Sequence, residues 1–311
     1  MIEDKEIQNS KSYIGDDLNF RKFIKILWAT KNEILLITSF FAIFSVVLAL
    51  NLTNYYKSVA LLAERSGSGL QGNLSQFSGL AAAAGIDLQP SDSKAPKAIE
   101  LIKSRKFVKH LISFEKILPS IMAAKGYDSE TKEIIYDRKI YDPDKKLWVR
   151  KPKKNQSVIP SFLEAHEEYR FNILSISQNK SSGFITVEVE HVSPIFAKEF
   201  LDLIIKEANE ILRKEDMEDS QQGIEYLSKE LSKNSFIKIK DSISTLIEGQ
   251  LETQMKTKVY KDYFLIKIDP PFVAEKKSSP SRALICIFIT IFGGLMSILY
   301  ALIKHYFFKR N

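Results

Sequence analysis

The chain has 311 residues, 45% hydrophobic and 27% charged, with a formal net charge of +7 and a single cysteine. Its pI near 9.1 and mean hydropathy of -0.12 resemble those of an ordinary soluble protein, but that average conceals two uncharged apolar runs. The lone cysteine, Cys286, falls inside the second run and excludes a disulfide framework; much of the clustered basic charge flanks the runs, where anionic headgroups rather than nucleic acid are the natural partner.

Residues 1–33 form a lead-in carrying Arg21, Lys22, Lys25 and Lys31, followed by the first run, "ILLITSFFAIFSVVLALNL", residues 34–52. About 20 apolar residues cross a bilayer core of roughly 30 Å, so this run is predicted to be a transmembrane helix. A cleavable signal peptide is the rival explanation. The long lead-in, and the lack of a small-x-small site in "TNYYKSVALL", favour an uncleaved anchor.

Residues 53–282 are expected to form one extracytoplasmic domain. "YYKSVALLA" is rich in β-formers and predicts a strand, and the small-residue stretch 66–85 predicts a loop. Ile99, Ile102, Val108, Leu111 and Ile112 recur at helical spacing, with Asp92 or Ser93 as a cap. Pro143, Pro152 and Pro160 mark residues 126–160 as a connecting region. "RFNILSIS" and "FITVEVEH", separated by "QNKSSG", predict a hairpin, since Ile185, Val187 and Val189 alternate with polar residues.

Between Pro194 and Pro270 only Gly223 and Gly249 interrupt the helix formers, which predicts a long extended helix over about residues 195–262. Phe196, Phe200, Leu203, Ile204 and Ile211 share one stripe; Ile224, Leu227, Leu231, Ile239, Ile243, Leu246 and Leu251 continue one. A single rod of about 65 residues would reach about 100 Å. Gly223, after the polar "EDMEDSQQ", is the expected kink, and one rod or two both remain open. "YFLIKIDPP" then predicts a strand returning beside the first.

The chain continues through a proline-rich strap, "DPPFVAEKKSSPSR", residues 269–282, into the second run, "ALICIFITIFGGLMSILYALI", residues 283–303. Pro270 and Pro271 stop the outer domain. Pro280 suits the first turn of the span, with Ser279 as its cap. Lys276, Lys277 and Arg282 are expected as interfacial anchors at the outer headgroups. Gly293 with Ser297, Thr290 with Gly294, and Ser45 with Ala49 form small-xxx-small pairs that let helices approach closely. Lys304, Lys309 and Arg310 follow in a short tail, residues 304–311. Basic residues at the outer ends of both runs place both termini in the cytoplasm.

No motif carries chemistry. "GSGLQG" fits G-x-G-x-x-G at Gly67, Gly69 and Gly72, but no βαβ crossover follows it, and Asn73 and Leu74 stand where a P-loop needs Lys and Ser/Thr. His110, His166, His191 and His305 are scattered, HExxH and G-x-S-x-G are missing, and "EAHEEY" and "RKEDMED" suit solvated helix faces. The expectation is no enzyme, no metal and no cofactor.

The order of parts resembles the polysaccharide co-polymerases, the chain-length determinant (Wzz-type) family. The likeness runs through "DLNFRKFIKILWATKNEIL", "IELIKSRKFVKHLI", "VEVEHVSPIFAKEFLDLIIKEANEIL" and "IEYLSKELS". It is most specific in "LIEGQLETQMKTKVYKDYFLIKIDPPFVAEKKSSPSRALI". Ala274 stands where many members have a further proline, and the short tail implies a kinase-free member. The resemblance implies an α+β membrane protein with two transmembrane helices flanking an extracytoplasmic α/β domain. It also implies a homo-oligomeric ring in the bacterial inner membrane that regulates the length of O-antigen, capsule or exopolysaccharide made by a Wzy-type polymerase. The positions it points to for polymerase contact are Pro270, Pro271, Pro280, Gly293, Gly294 and Ser297; the nascent polysaccharide and membrane lipid are further partners. A capsule-export adaptor working with an ABC transporter, and a two-span periplasmic sensor, are the alternatives.

Overall fold

The computed structural model describes residues 27–65, 95–154, 156–233 and 235–308. Contacts divide the chain into two units, Thr53–Ser279 on the one hand and Met1–Leu52 with Pro280–Asn311 on the other. The G-x-G-x-x-G match, the caps Asp92 and Ser93, and the flanking charges Arg21, Lys22, Lys25, Lys309 and Arg310 lie outside the described residues.

In chain order, helix α1 (Lys31–Asn51) leads to strand β1 (Tyr56–Glu64) and the short helices α2 (Ala95–Lys103), α3 (Arg105–Leu111) and α4 (Ile117–Ala123). Two ribbons follow, β2 (Ala124–Asp128) with β3 (Glu133–Tyr136), and β4 (Tyr141–Asp142) with β5 (Leu147–Trp148). Helix α5 (Phe162–Glu168) runs directly into a π-helical turn, Tyr169–Ile173. The hairpin β6 (Leu174–Gln178) and β7 (Ile185–His191) precedes α6 (Pro194–Lys233) and α7 (Ile237–Val259); β8 (Leu265–Asp269) and α8 (Arg282–Phe308) complete the chain.

β6, β7, β1 and β8 form one antiparallel sheet in that order. The alternation seen in β7 is realised: Ile185, Val187 and Val189 are fully buried and His191 nearly so. Ala60 and Leu62 of β1 bury at the same period of two. The first half of α6 packs on β1 and β7. Phe196, Phe200, Leu201, Ile204, Ile205, Ala208 and Leu212 bury there at helical spacing, each large side chain contributing about 1.5–3 kcal/mol. Helices α2, α3 and α5 add Ile102, Phe107, Val108, Leu111 and Ala165 to this core, and the π-helical turn adds Tyr169, whose hydroxyl donates to the Ile102 carbonyl at 3.1 Å.

One expectation changes, and the choice between one rod and two is settled. The region expected as a connector carries the two ribbons between Ala124 and Trp148. Tyr141 packs against the rings of Tyr136 (5.5 Å) and Trp148 (5.1 Å). Arg150 closes the region with a bidentate pair to Glu164 at 2.6 and 3.0 Å and bonds to the Ser157 and Val158 carbonyls. Glu164 also completes a capping box with Ser161 at the start of α5.

The long helix is not one rod. It ends at Lys233 after 40 residues, and Phe236 takes an extended conformation (φ -79°, ψ 122°) before α7 returns along α6. Gly223 is not the break. It lies inside α6, where a Cβ would meet the Gln250 side chain at 3.3 Å, so its lack of a side chain serves the close approach of the returning helix.

Candidate functional site: the proline strap and the paired apolar helices

β8 ends at Asp269, opposite Leu61, where the register with β1 slips. Pro270 and Pro271 follow; neither has an N–H to continue a ladder, so the strand stops there. Pro270 is exposed and Pro271 buried. The chain nevertheless keeps to β1: the Ser58 hydroxyl donates to the Phe272 carbonyl at 2.7 Å. Ala274 is buried.

The strap is fastened again at its end. The Tyr55 N–H donates to the Ser279 carbonyl at 2.9 Å, and the Ser278 N–H donates to the Tyr55 carbonyl at 2.8 Å. The hydroxyls of Ser278 and Ser279 both donate to Glu190 Oε1 at 2.6 Å. Lys276 and Lys277 are exposed between the two fixed ends.

β8 itself is held by α6. The Asn209 side chain, buried in the core, accepts from the Phe264 and Leu265 N–H groups at 2.9 and 2.7 Å and donates to the Leu265 carbonyl at 3.0 Å. One amide thus satisfies three backbone groups that β1 does not. The Tyr263 hydroxyl donates to Asp216 Oδ2 at 2.6 Å, and burial with that carboxylate raises the phenol above its ordinary range. Lys267 pairs with Asp202 at 2.6 Å.

At the end of β7, His191 is a neutral structural group. Its Nδ1 accepts from the Ser193 N–H at 3.1 Å, which leaves Nε2–H to donate to the Ser120 carbonyl at 2.9 Å. Burial pushes the imidazole down to about 4.

In the second unit, α1 and α8 run antiparallel. Each is long and apolar enough to cross a bilayer, and only 11% of each apolar window is buried. The buried positions are small: Ser45 and Ala49 on α1, and Gly293, Ser297 and Ala301, each four residues apart, on α8. A Cβ on Gly293 would stand 2.4 Å from Phe41 Cβ, and one on Gly294 would meet Thr38 Oγ1 at 4.0 Å. Thr38 and Ser297 share a hydroxyl contact at 3.4 Å. At one end Glu33 pairs with Lys304; at the other Arg282 Nη2 donates to the Leu52 carbonyl at 3.1 Å, meeting an orphan carbonyl at the negative end of α1.

Gly293 and Gly294 stand against Phe41 and Thr38 of α1, and Ser297 shares its hydroxyl contact with Thr38. The Ile285 N–H donates to the Ser281 carbonyl at 3.2 Å, which makes Ser281 the cap of α8; Pro280 precedes the cap, and the Ser279 hydroxyl is committed to Glu190. Arg282 faces Leu52. Pro270 and Pro271 do terminate β8. Glu190, which fixes the strap, and Asn209, which fixes its strand, carry no sequence signal beyond being polar residues within apolar patterns. Among the described residues no three His, Cys, Asp or Glu side chains stand close enough to hold a metal ion.

Residues 16–114 match the family model described as chain length determinant protein, Wzz. No curated protein matches the chain. Among solved structures, a full-length bacterial polysaccharide co-polymerase is similar at a TM-score of 0.39 and 10% identity, over 93% of this chain and 98% of that one. A fragment of WzzB, polysaccharide co-polymerase from Salmonella Typhimurium, is similar at a TM-score of 0.32 and 13% identity, over 73% of this chain and 100% of that one.

Proposed function

We propose, from the match of residues 16–114 to the chain length determinant model, that this chain is a membrane-anchored regulator of polysaccharide chain length that performs no covalent chemistry itself. The observation that carries the proposal is the family match. It takes in the first apolar helix, the central strand β1 and helices α2 and α3, and so reaches from the anchor into the core of the outer unit.

In the finer proposal both spans sit in a bacterial inner membrane, with residues 53–282 in the periplasm and both termini in the cytoplasm. The basic residues flanking the two runs and the antiparallel pairing of α1 with α8 support that topology. The protein acts as a homo-oligomeric ring beside a Wzy-type polymerase making O-antigen, capsule or exopolysaccharide. Pro270 and Pro280, with Lys276, Lys277 and Arg282 at headgroup level, are the proposed positions for contact with polymerase and lipid, and buried Pro271 fixes the strap behind them.

Gels of surface polysaccharide from a deletion strain test this. Loss of modal length with polymer still present, restored by the chain supplied in trans, is the expected result. Complete loss of surface polymer would point to an export role with an ABC transporter, and unchanged amount and length would sink the proposal.

A further inference from the structure

On the Thr53–Ser279 unit a cleft of about 490 Å³ opens where the π-helical turn, the end of β7 and the end of the strap converge. Its volume lies in the range of small-ligand sites. Phe171 on its wall is 81% exposed, more than any other aromatic side chain of that unit among the described residues. A ligand that covers such a ring gains about 1.5–3 kcal/mol from its burial. The turn that presents it is π-helical, an uncommon conformation that recurs at functional sites. Tyr55 adds a second partly exposed ring across the cleft.

The polar groups set the ligand chemistry. Glu168 and Glu190 line the cleft, and among the described residues no Lys or Arg does. Each carboxylate is already positioned on one oxygen: Glu168 Oε2 accepts from Asn172 Nδ2 at 2.9 Å, and Glu190 Oε1 from the strap serines. His191 has both ring nitrogens engaged and brings no charge. The wall therefore repels anions. It offers acceptors (the carboxylates) and uncharged groups that both donate and accept (Asn172, Tyr55), beside an aromatic face. A hydroxyl donates and accepts, whereas an ammonium or guanidinium only donates. The mixed set fits hydroxyls better than a cation.

We infer that this cleft binds one or two units of a neutral sugar chain, whose C–H face packs on Phe171 and whose hydroxyls bond Glu168, Glu190 and Asn172. The inference rests on the chain-length role and supplies its ligand site. Because Ser278 and Ser279 hold Glu190, a sugar hydroxyl on that carboxylate acts directly on the fastening of the strap.

The test replaces Phe171 by the photoreactive p-benzoyl-phenylalanine in the full-length chain, in cells making their surface polymer. Irradiation is expected to give adducts that stain for carbohydrate. Adding Glu190→Gln should lower their yield at least fivefold, and the same reporter at Phe184, exposed but outside the cleft, should give none. Adducts to a second copy of the chain, equal yields at 171 and 184, no carbohydrate adduct, or capture of a polymer rich in uronic acids would each overturn the inference. The two levels separate cleanly. If deletion abolishes modal length while the reporter captures no sugar, only the cleft fails. If the reporter captures sugar while deletion leaves length unchanged, only the regulatory role fails.

Discussion

The paired helices give the sharpest physical test, because Gly293 allows a closer approach than any other residue could. A methyl group built on it would lie 2.4 Å from Phe41 Cβ, 2.5 Å from Cγ and 2.9 Å from Cδ2. Carbon atoms rest about 3.5–4.0 Å apart, so Gly293→Ala must open the pair by about 1 Å. The first atom struck is bonded to the Phe41 backbone, so a rotamer change does not relieve it. Overpacking of this kind costs about 1–3 kcal/mol. At about 1.4 kcal/mol per factor of ten, the close-packed arrangement should become roughly 5- to 150-fold less populated.

A cysteine pair reads this directly. Thr38 and Ser297 touch through their hydroxyls at 3.4 Å, so Thr38→Cys with Ser297→Cys, in a Cys286→Ser background, should oxidise readily within one chain. Adding Gly293→Ala should slow that bridge about tenfold. Phe41→Ala keeps the offending Cβ and should restore little, whereas Phe41→Gly removes it and should restore the rate. An oxidation rate within twofold of the parent in the Gly293→Ala chain would refute the close approach, and rescue by Phe41→Ala would refute the Cβ contact as its cause.

Asn209→Ala strips three backbone groups, on Leu265 of β8 and on Phe264 just before it, of their buried partner; at about 1–3 kcal/mol for an unsatisfied group the full chain should lose several kcal/mol, read as a fall of several degrees in thermal melting. Asn209→Asp keeps the acceptor and should fall less. For His191 the folded value near 4 lies below the ordinary 6.5, so the unfolded chain binds the extra proton between those values. Its contribution is complete above about pH 6.5 and is lost as pH falls toward 4, by about 3 kcal/mol in all; His191→Gln should flatten that part of the melting profile against pH. Arg150→Lys cannot reproduce the forked contact with Glu164 and should cost about 1 kcal/mol, seen as faster proteolysis between residues 150 and 160.

What could be read from the sequence was what a period or a long apolar run encodes. Both apolar helices, the β7 alternation and the core stripe from Phe196 to Ile204 follow from residue spacing alone. The small-xxx-small pairs marked the faces that meet, but not which helix they meet. The turn between α6 and α7 was hidden for a physical reason: local propensity continues through Ser235 and Phe236, and it is the contact of α7 with α6 that decides the fold-back. Gly223 looked like the punctuation and is instead a packing position. Asn209 sits in "KEANEIL", where an amide on a charged helix resembles a solvated side chain, and only the arrival of β8, more than fifty positions later, gives it a partner. The strap was legible as prolines, while its fastening to Glu190 depends on a sheet register that composition does not contain.

The small-residue seam also bears on where a membrane partner would be met. Contacts between α1 and α8 occur at Glu33 with Lys304, Thr38 with Ser297, Phe41 with Gly293 and Leu52 with Arg282, so the pair is closed along its length within one chain. The positions left outward on α8, such as Phe288, Ile291 and Leu295, are large and apolar. Lipid solvates such residues as well as a protein surface does, and association in a bilayer draws on close packing and polar contacts instead. Once Gly293, Gly294 and Ser297 are engaged with α1, this chain's outward helix face offers little of either. For the polymerase partner proposed above, this favours contact outside the apolar core, on the strap, where Pro270 is exposed, Lys276 and Lys277 carry charge, and the backbone is held at both ends.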